Sequence, residues 1–174
     1  MRSLLRLFWE VCLLRKGPQD MPFSRELLAI LIAVGMGVDV LRLALADTGM
    51  DFGGVLVFAV AALIFNLAFF GGLVVIAGYR ARLVQTLIAW FGAMLLIGLI
   101  DLPLVLVLHF APGVGTGVAL LFQILVIWSL LVTMHVLRHA LSINPVLAGV
   151  LSLGYFLLSV LLYNGVVKSL VGAG

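Results

Sequence analysis

Polar positions along this chain are few and come in clusters. After the first two dozen residues they gather at Asp47 to Gly53, Tyr79 to Arg82, Ala111 to Gly117 and Ser142 to Asn144, and the stretches between these clusters are apolar. A helix that crosses the hydrocarbon of a bilayer needs about 20 such residues. The pattern therefore predicts an all-α, polytopic transmembrane bundle of about five spans, near 27–46, 54–78, 83–109, 118–137 and 145–167. Local signals support several of these ends. Ser24 suits an N-cap with Glu26 in the first turn, and Pro145 suits a first helical position. Pro103 lacks a backbone donor and should kink the third span.

The first residues follow a different rule. On a helical wheel Arg2, Ser3, Arg6 and Glu10 share one stripe, while leucines, Phe8, Trp9 and Val11 cover the rest. This predicts an amphipathic helix lying in the membrane interface and ended by Gly17 and Pro18, or packed on the cytoplasmic end of the bundle. Residues 1–23 are thus expected to form a cytoplasmic interfacial segment, and 24–174 a single transmembrane domain. A cleaved secretory signal is not expected. Glu10 interrupts the apolar run, Arg15 and Lys16 follow it, and no small-residue cleavage site precedes Gly17.

Composition agrees with the pattern. Hydrophobic residues make up 65% of the 174 and charged residues 10%, and the mean hydropathy is +1.35, which leaves no material for a water-facing domain. The net charge of +3 would suggest a nucleic-acid partner in a soluble protein. Here the basic residues lie in loops and report orientation instead. Arg2, Arg6, Arg15, Lys16, Arg25, Arg80, Arg82 and Arg138 fall on one side and Lys168 on the other. The amino terminus is therefore expected in the cytoplasm, the carboxyl terminus outside, and the membrane to be a bacterial inner membrane. The single cysteine, Cys12, excludes an intramolecular disulfide.

Candidate chemistry sits in the few polar residues that the spans carry. Asp39 and Arg42 stand at i, i+3 on the first span and Asp101 at a comparable outer depth on the third, with Asn66 on the second. Charges within a bilayer are costly and mark functional-site candidates. One expectation is a proton or ion path in which Asp39 or Asp101 titrates beside Arg42 and His109 relays at the mouth; the other is a structural ion pair. His135 and His139, at i, i+4, have the spacing of two imidazoles on one metal, with further ligands to come from Cys12, Asp20 or Glu26, or else they contact lipid headgroups. A bis-histidine haem is disfavoured because His109 lies at the far end of its span. Small residues at four-residue spacing, Ala29, Ala33 and Gly37, then Ala68 and Gly72, then Ala148 and Ser152, predict close helix packing, within the bundle or between copies. No nucleophile with a base at motif spacing, phosphate-binding glycine loop or acidic metal cluster is present in the sequence.

Five spans behind an amphipathic amino-terminal segment, with almost no mass outside the membrane, resemble the Yip1-type family of small polytopic membrane proteins. Eukaryotic members carry a longer amino-terminal domain with an Asp-Leu-Tyr-Gly-Pro motif. Here Gly17-Pro18 and Asp20 occur in a different order, so no functional residue is carried over. The resemblance implies a helper role in membrane organisation or protein assembly. The first expectation for function is accordingly a non-enzymatic scaffold or accessory subunit without a cofactor, contacting lipids and either copies of itself or other membrane subunits. The second is a small transporter or channel using Asp39, Arg42, Asp101 and Asn66.

Overall fold

The computed structural model describes residues 2–46, 49–111, 113 and 115–171. Asp47 and Pro112, expected in the turns after the first and third spans, and the side chains of Arg2 and Ser3 lie outside these. The described residues form six α-helices, α1 (Arg2–Cys12), α2 (Arg25–Leu45), α3 (Phe52–Ile76), α4 (Leu83–Phe110), α5 (Gly115–Leu141) and α6 (Pro145–Val171), with no strand among them. Five of the helices are long and apolar enough to cross a membrane, and the chain is an integral membrane protein with little polypeptide outside the spans.

The helix ends follow capping chemistry. Leu27 N donates to Ser24 Oγ at 3.0 Å, as the sequence suggests, and Leu147 N to Asn144 Oδ1 at 2.8 Å ahead of Pro145. Asp51, expected only as part of a polar turn, caps α3 by accepting from Gly54 N at 2.8 Å. The fourth span was expected over 118–137, and α5 runs from Gly115 to Leu141. Beyond the hydrocarbon, backbone bonds still favour helix, and Arg138 and His139 in the last turn suit its carbonyl end. Arg82 closes that end. Its guanidinium lies 4.7 Å from the Tyr79 ring centre and donates to Ser142 Oγ at 2.8 Å and towards the carbonyls of His139 and Ala140 at 3.4 and 3.5 Å.

The amino-terminal helix packs on one end of the bundle, against α4 and α5, and it stops earlier than Gly17. It ends at Cys12, Leu14 turns into the left-handed region at φ 61°, and the amides of Arg15 and Lys16 both reach back to Glu10 O. The early stop frees carbonyls for the bundle. Trp128 Nε1 donates to Cys12 O at 2.8 Å and His135 Nε2 to Lys16 O at 3.0 Å. Phe8, Val11 and Cys12 are buried against α4 and α5, while Leu5, Trp9 and Leu13 stay exposed on the outer side.

The spans close a circuit: α2 packs on α3 and α4, α3 on α6, α6 on α5, and α5 on α4. At the end that carries α1, Phe70 and Val74 of α3, Ile88 of α4, and Val136 and Leu137 of α5 are fully buried in one core. Of the small-residue stripes, Ala148 and Ser152 lie in the α5–α6 seam, where Ser152 Oγ donates to Leu130 O at 2.8 Å. Ala29, Ala33 and Gly37 do not pack inside the bundle. They lie on the exposed face of α2, and a side chain at Gly37 would meet nothing within 4 Å. Asp39 and Arg42 turn the opposite flank of α2 towards α4, which puts the stripe outward.

Candidate functional site

Where α2 crosses α4, the three intramembrane charges meet. Asp39 and Arg42 are one helical turn apart, and Arg42 Nη1 stands 3.3 Å from Asp39 Oδ1. The other guanidinium nitrogen, Nη2, donates to Asp101 Oδ2 of α4. The contact is close because α4 presents Gly98 to α2: a Cβ there would sit 3.7 Å from Val38 Cγ1 and 3.8 Å from Arg42 Nη1. The Asp101 side chain is only 6% exposed, against 32% for Arg42 and 59% for Asp39. Asp101 Oδ1 and Arg42 Nε are buried and have no hydrogen-bond partner among the described residues. A buried carboxylate oxygen left in that state is costly.

These residues form one wall of a cleft of ≈ 1220 Å³ that all five spans line. Its rim is at the α2–α3 turn, where Ala46 and Met50 line it together with His109. Its inner end is at Trp90, Asn66 and Tyr155. Along α4, Trp90 and His109 are 19 residues apart, roughly 28 Å at 1.5 Å per residue. His109 Nδ1 donates to Leu45 O at 2.9 Å, which satisfies a carbonyl at the end of α2. Tyr155 Oη donates to Asn66 Oδ1 at 2.9 Å. The rings of Phe65, Phe69, Phe70 and Trp90 surround Tyr155 with centres 5.6, 5.2, 5.3 and 5.8 Å away. Trp90 Nε1 in turn donates to Thr133 Oγ1 at 3.3 Å. The floor of the cleft is therefore an aromatic layer pinned by two polar bonds.

The structure thus brings together Asp39, Arg42 and Asp101, and places Asn66 and His109 on the same cleft. The triad is at once a closed ion pair and the wall of an open cavity, so the two sequence expectations for it describe one arrangement. His135 and His139 stand apart, at the other end of the bundle, with ring centres 4.5 Å apart. No further metal ligand joins them: among the described residues no group of three or more His, Cys, Asp and Glu side chains assembles. Cys12 Sγ points at Ala93 O instead, at 3.7 Å, and Asp20 accepts from Gly17 N at 2.9 Å. The His135 ring holds the amino-terminal segment through Lys16 O.

Sequence reasoning missed Trp90 and Tyr155 as the floor, because aromatic residues in a span look alike whether they face lipid or a cavity. The chain matches no family model, no curated protein and no solved structure.

Proposed function

We propose that this integral membrane protein provides a path for a cation, protons included, with the Asp39–Arg42–Asp101 group as its charged station. One observation carries the reading: a buried carboxylate with an unpartnered oxygen lines a cleft of ≈ 1220 Å³. A purely structural ion pair gains most when it is dry and every lone pair is satisfied. Here the charges are left on an open wall, and two carboxylates against one guanidinium leave a formal excess of one negative charge. Water reaching the cleft can exchange a proton with Asp39 or Asp101 beside the Arg42 guanidinium. His109 stands at the rim, where a relay would be needed. The floor at Trp90 and Tyr155 closes the cleft on its inner side, so passage requires this aromatic layer to part. An assembly role would draw on the outward stripe of α2.

Arg15, Lys16, Arg80, Arg82 and Arg138 lie at the floor end, tied together by the Lys16–His135 and Arg82–Ser142 contacts. By the excess of basic residues in cytoplasmic loops this end faces the cytoplasm of a bacterial inner membrane and the cleft opens outward. A membrane-impermeant thiol reagent added to intact cells should then label Phe52→Cys and not Ala81→Cys, both made in a Cys12→Ala background. Labelling of both, or the reverse, removes the orientation.

The path itself is tested in proteoliposomes by the collapse of an imposed pH gradient in the presence of Na⁺, K⁺ or a lipophilic organic cation. The protein should speed the collapse, and Asp101→Asn that has been reconstituted in folded form should slow it by about tenfold or more, as expected for loss of a charged station. Equal rates for the protein and protein-free vesicles would sink the reading.

A further inference from the structure

We propose that the ligand of the cleft is a lipophilic organic monocation, one with a single positive charge set in an apolar, aromatic-sized body. The inference rests on the cation-path reading and names its substrate class. Three features of the cleft select this chemistry. The first is charge: Asp39, Arg42 and Asp101 are the only Asp, Glu, Lys or Arg residues among its described lining, and they sum to one excess negative charge. A monocation makes the wall neutral, whereas an anion would face two carboxylates and a dication would leave an uncompensated charge in a low-dielectric site.

The second feature is size. At ≈ 1220 Å³ the cleft is far larger than a bare inorganic ion and exceeds the roughly 300–1,000 Å³ of drug-sized pockets, so it has room for a bulky organic body. Hard inorganic cations also require about six or more oxygen ligands. The two carboxylates already spend oxygens on Arg42, and Asn66 Oδ1 is taken by Tyr155.

The third feature is the wall. Away from the triad the cleft is apolar, and rings and thioethers, among them Phe58, Trp90, Phe91, Met36 and Met94, stand between its aliphatic side chains. Ring faces attract a diffuse cation, and methionine adapts to irregular apolar shapes. The unpartnered Asp101 Oδ1 marks where the positive centre would be neutralised. Because cation and proton compete for the same carboxylates, binding should weaken as the pH falls. The titratable and charged groups facing Asp101 and Asp39 are Arg42 of α2, His109 of α4 and Tyr155 of α6; none is contributed by the described cleft residues of α3 and α5.

Tetraphenylphosphonium is a suitable probe, with the full chain in lipid nanodiscs and equilibrium binding as the readout. We expect saturable binding at one site per chain with a micromolar Kd, and no comparable binding of the isosteric anion tetraphenylborate. Asp39→Asn and Asp101→Asn should each weaken binding by about tenfold or more. Should Asp101→Asn fail to fold, Ala62→Trp projects an indole into the cleft and leaves the ion pairs in place, and it should weaken binding. Absence of saturable binding, equal binding of the anion, or binding untouched by Ala62→Trp would each overturn the proposal. If the Asp101-dependent pH-gradient collapse persists while the phosphonium does not bind, the substrate class falls and the path stands. If both are absent, both fall.

Discussion

The two halves of α4 are both apolar and have opposite surroundings. Between Thr86 and Ala93 every residue is buried, whereas from Met94 to Phe110 only Ile97, Gly98, Asp101 and Val105 are. At the first half α4 is wrapped by α3, α5 and the docked α1, with Phe8 and Cys12 against Gly92 and Ala93. At the second half α2 still covers it, but through a salt-bridged contact on one flank, and the space towards α3 and α5 is the cleft. The difference teaches that apolar content does not decide which part of a membrane bundle is filled. Lipid is as apolar as leucine, so helices gain little by closing on one another unless small residues, polar bonds or extra elements draw them together. The half with α1 has all three, and the other half keeps an opening around its charges.

The sharpest way to break this contrast is to place the same methyl group in each half. Gly92→Ala would put a Cβ into the ring of Phe8, closer than atoms can approach. The whole ring must shift, and we expect a loss of about 1–3 kcal/mol, read as a lower thermal midpoint in detergent with altered Trp9 and Trp128 fluorescence. Gly98→Ala meets only ordinary contacts and should stay within about 0.5 kcal/mol of the parent. Equal damage from both would mean that the two halves are packed alike.

A smaller effect sharpens the same comparison. Burial pushes the Cys12 thiol up to about 11. The thiolate is the reactive form, so maleimide labelling of the folded protein should be slow at neutral pH and should speed up about tenfold per pH unit towards that value. The sign for stability follows: the neutral thiol's contribution is whole below the unfolded thiol's pKa and is lost as the pH rises through the folded one. Rapid labelling at pH 7 would show that α1 leaves its seat, and the packed half would then be no tighter than the cleft half.

Several elements were legible in the chain itself because their causes are local. Ser24 and Pro145 mark helix starts by their own backbone chemistry, and the apolar stretches give five spans by length alone. Asp51 could have been read the same way, since an aspartate just before an apolar run is an N-cap signal. The charged triad was half legible: Asp39 and Arg42 are paired by helical spacing, and the depth of Asp101 allowed it to join them. The stripes show the limit. Ala29, Ala33 and Gly37 carry the same spacing as Ala148 and Ser152, yet one stripe faces out and the other lies in a seam.

What the sequence determined on its own is thus the membrane as solvent, the number of spans, the helix starts at Ser24 and Pro145, and the clustering of basic residues at alternate turns. These depend on transfer free energy and on bonds between near neighbours, which a linear pattern records. The tertiary structure alone decided that α1 ends early and docks under Trp128, that His135 holds Lys16 O, and that the charges of α2 and α4 share a wall with Asn66 and Tyr155. Those outcomes depend on which faces of separate helices meet, and in a lipid-like solvent nearly every face is apolar enough to be either inside or out.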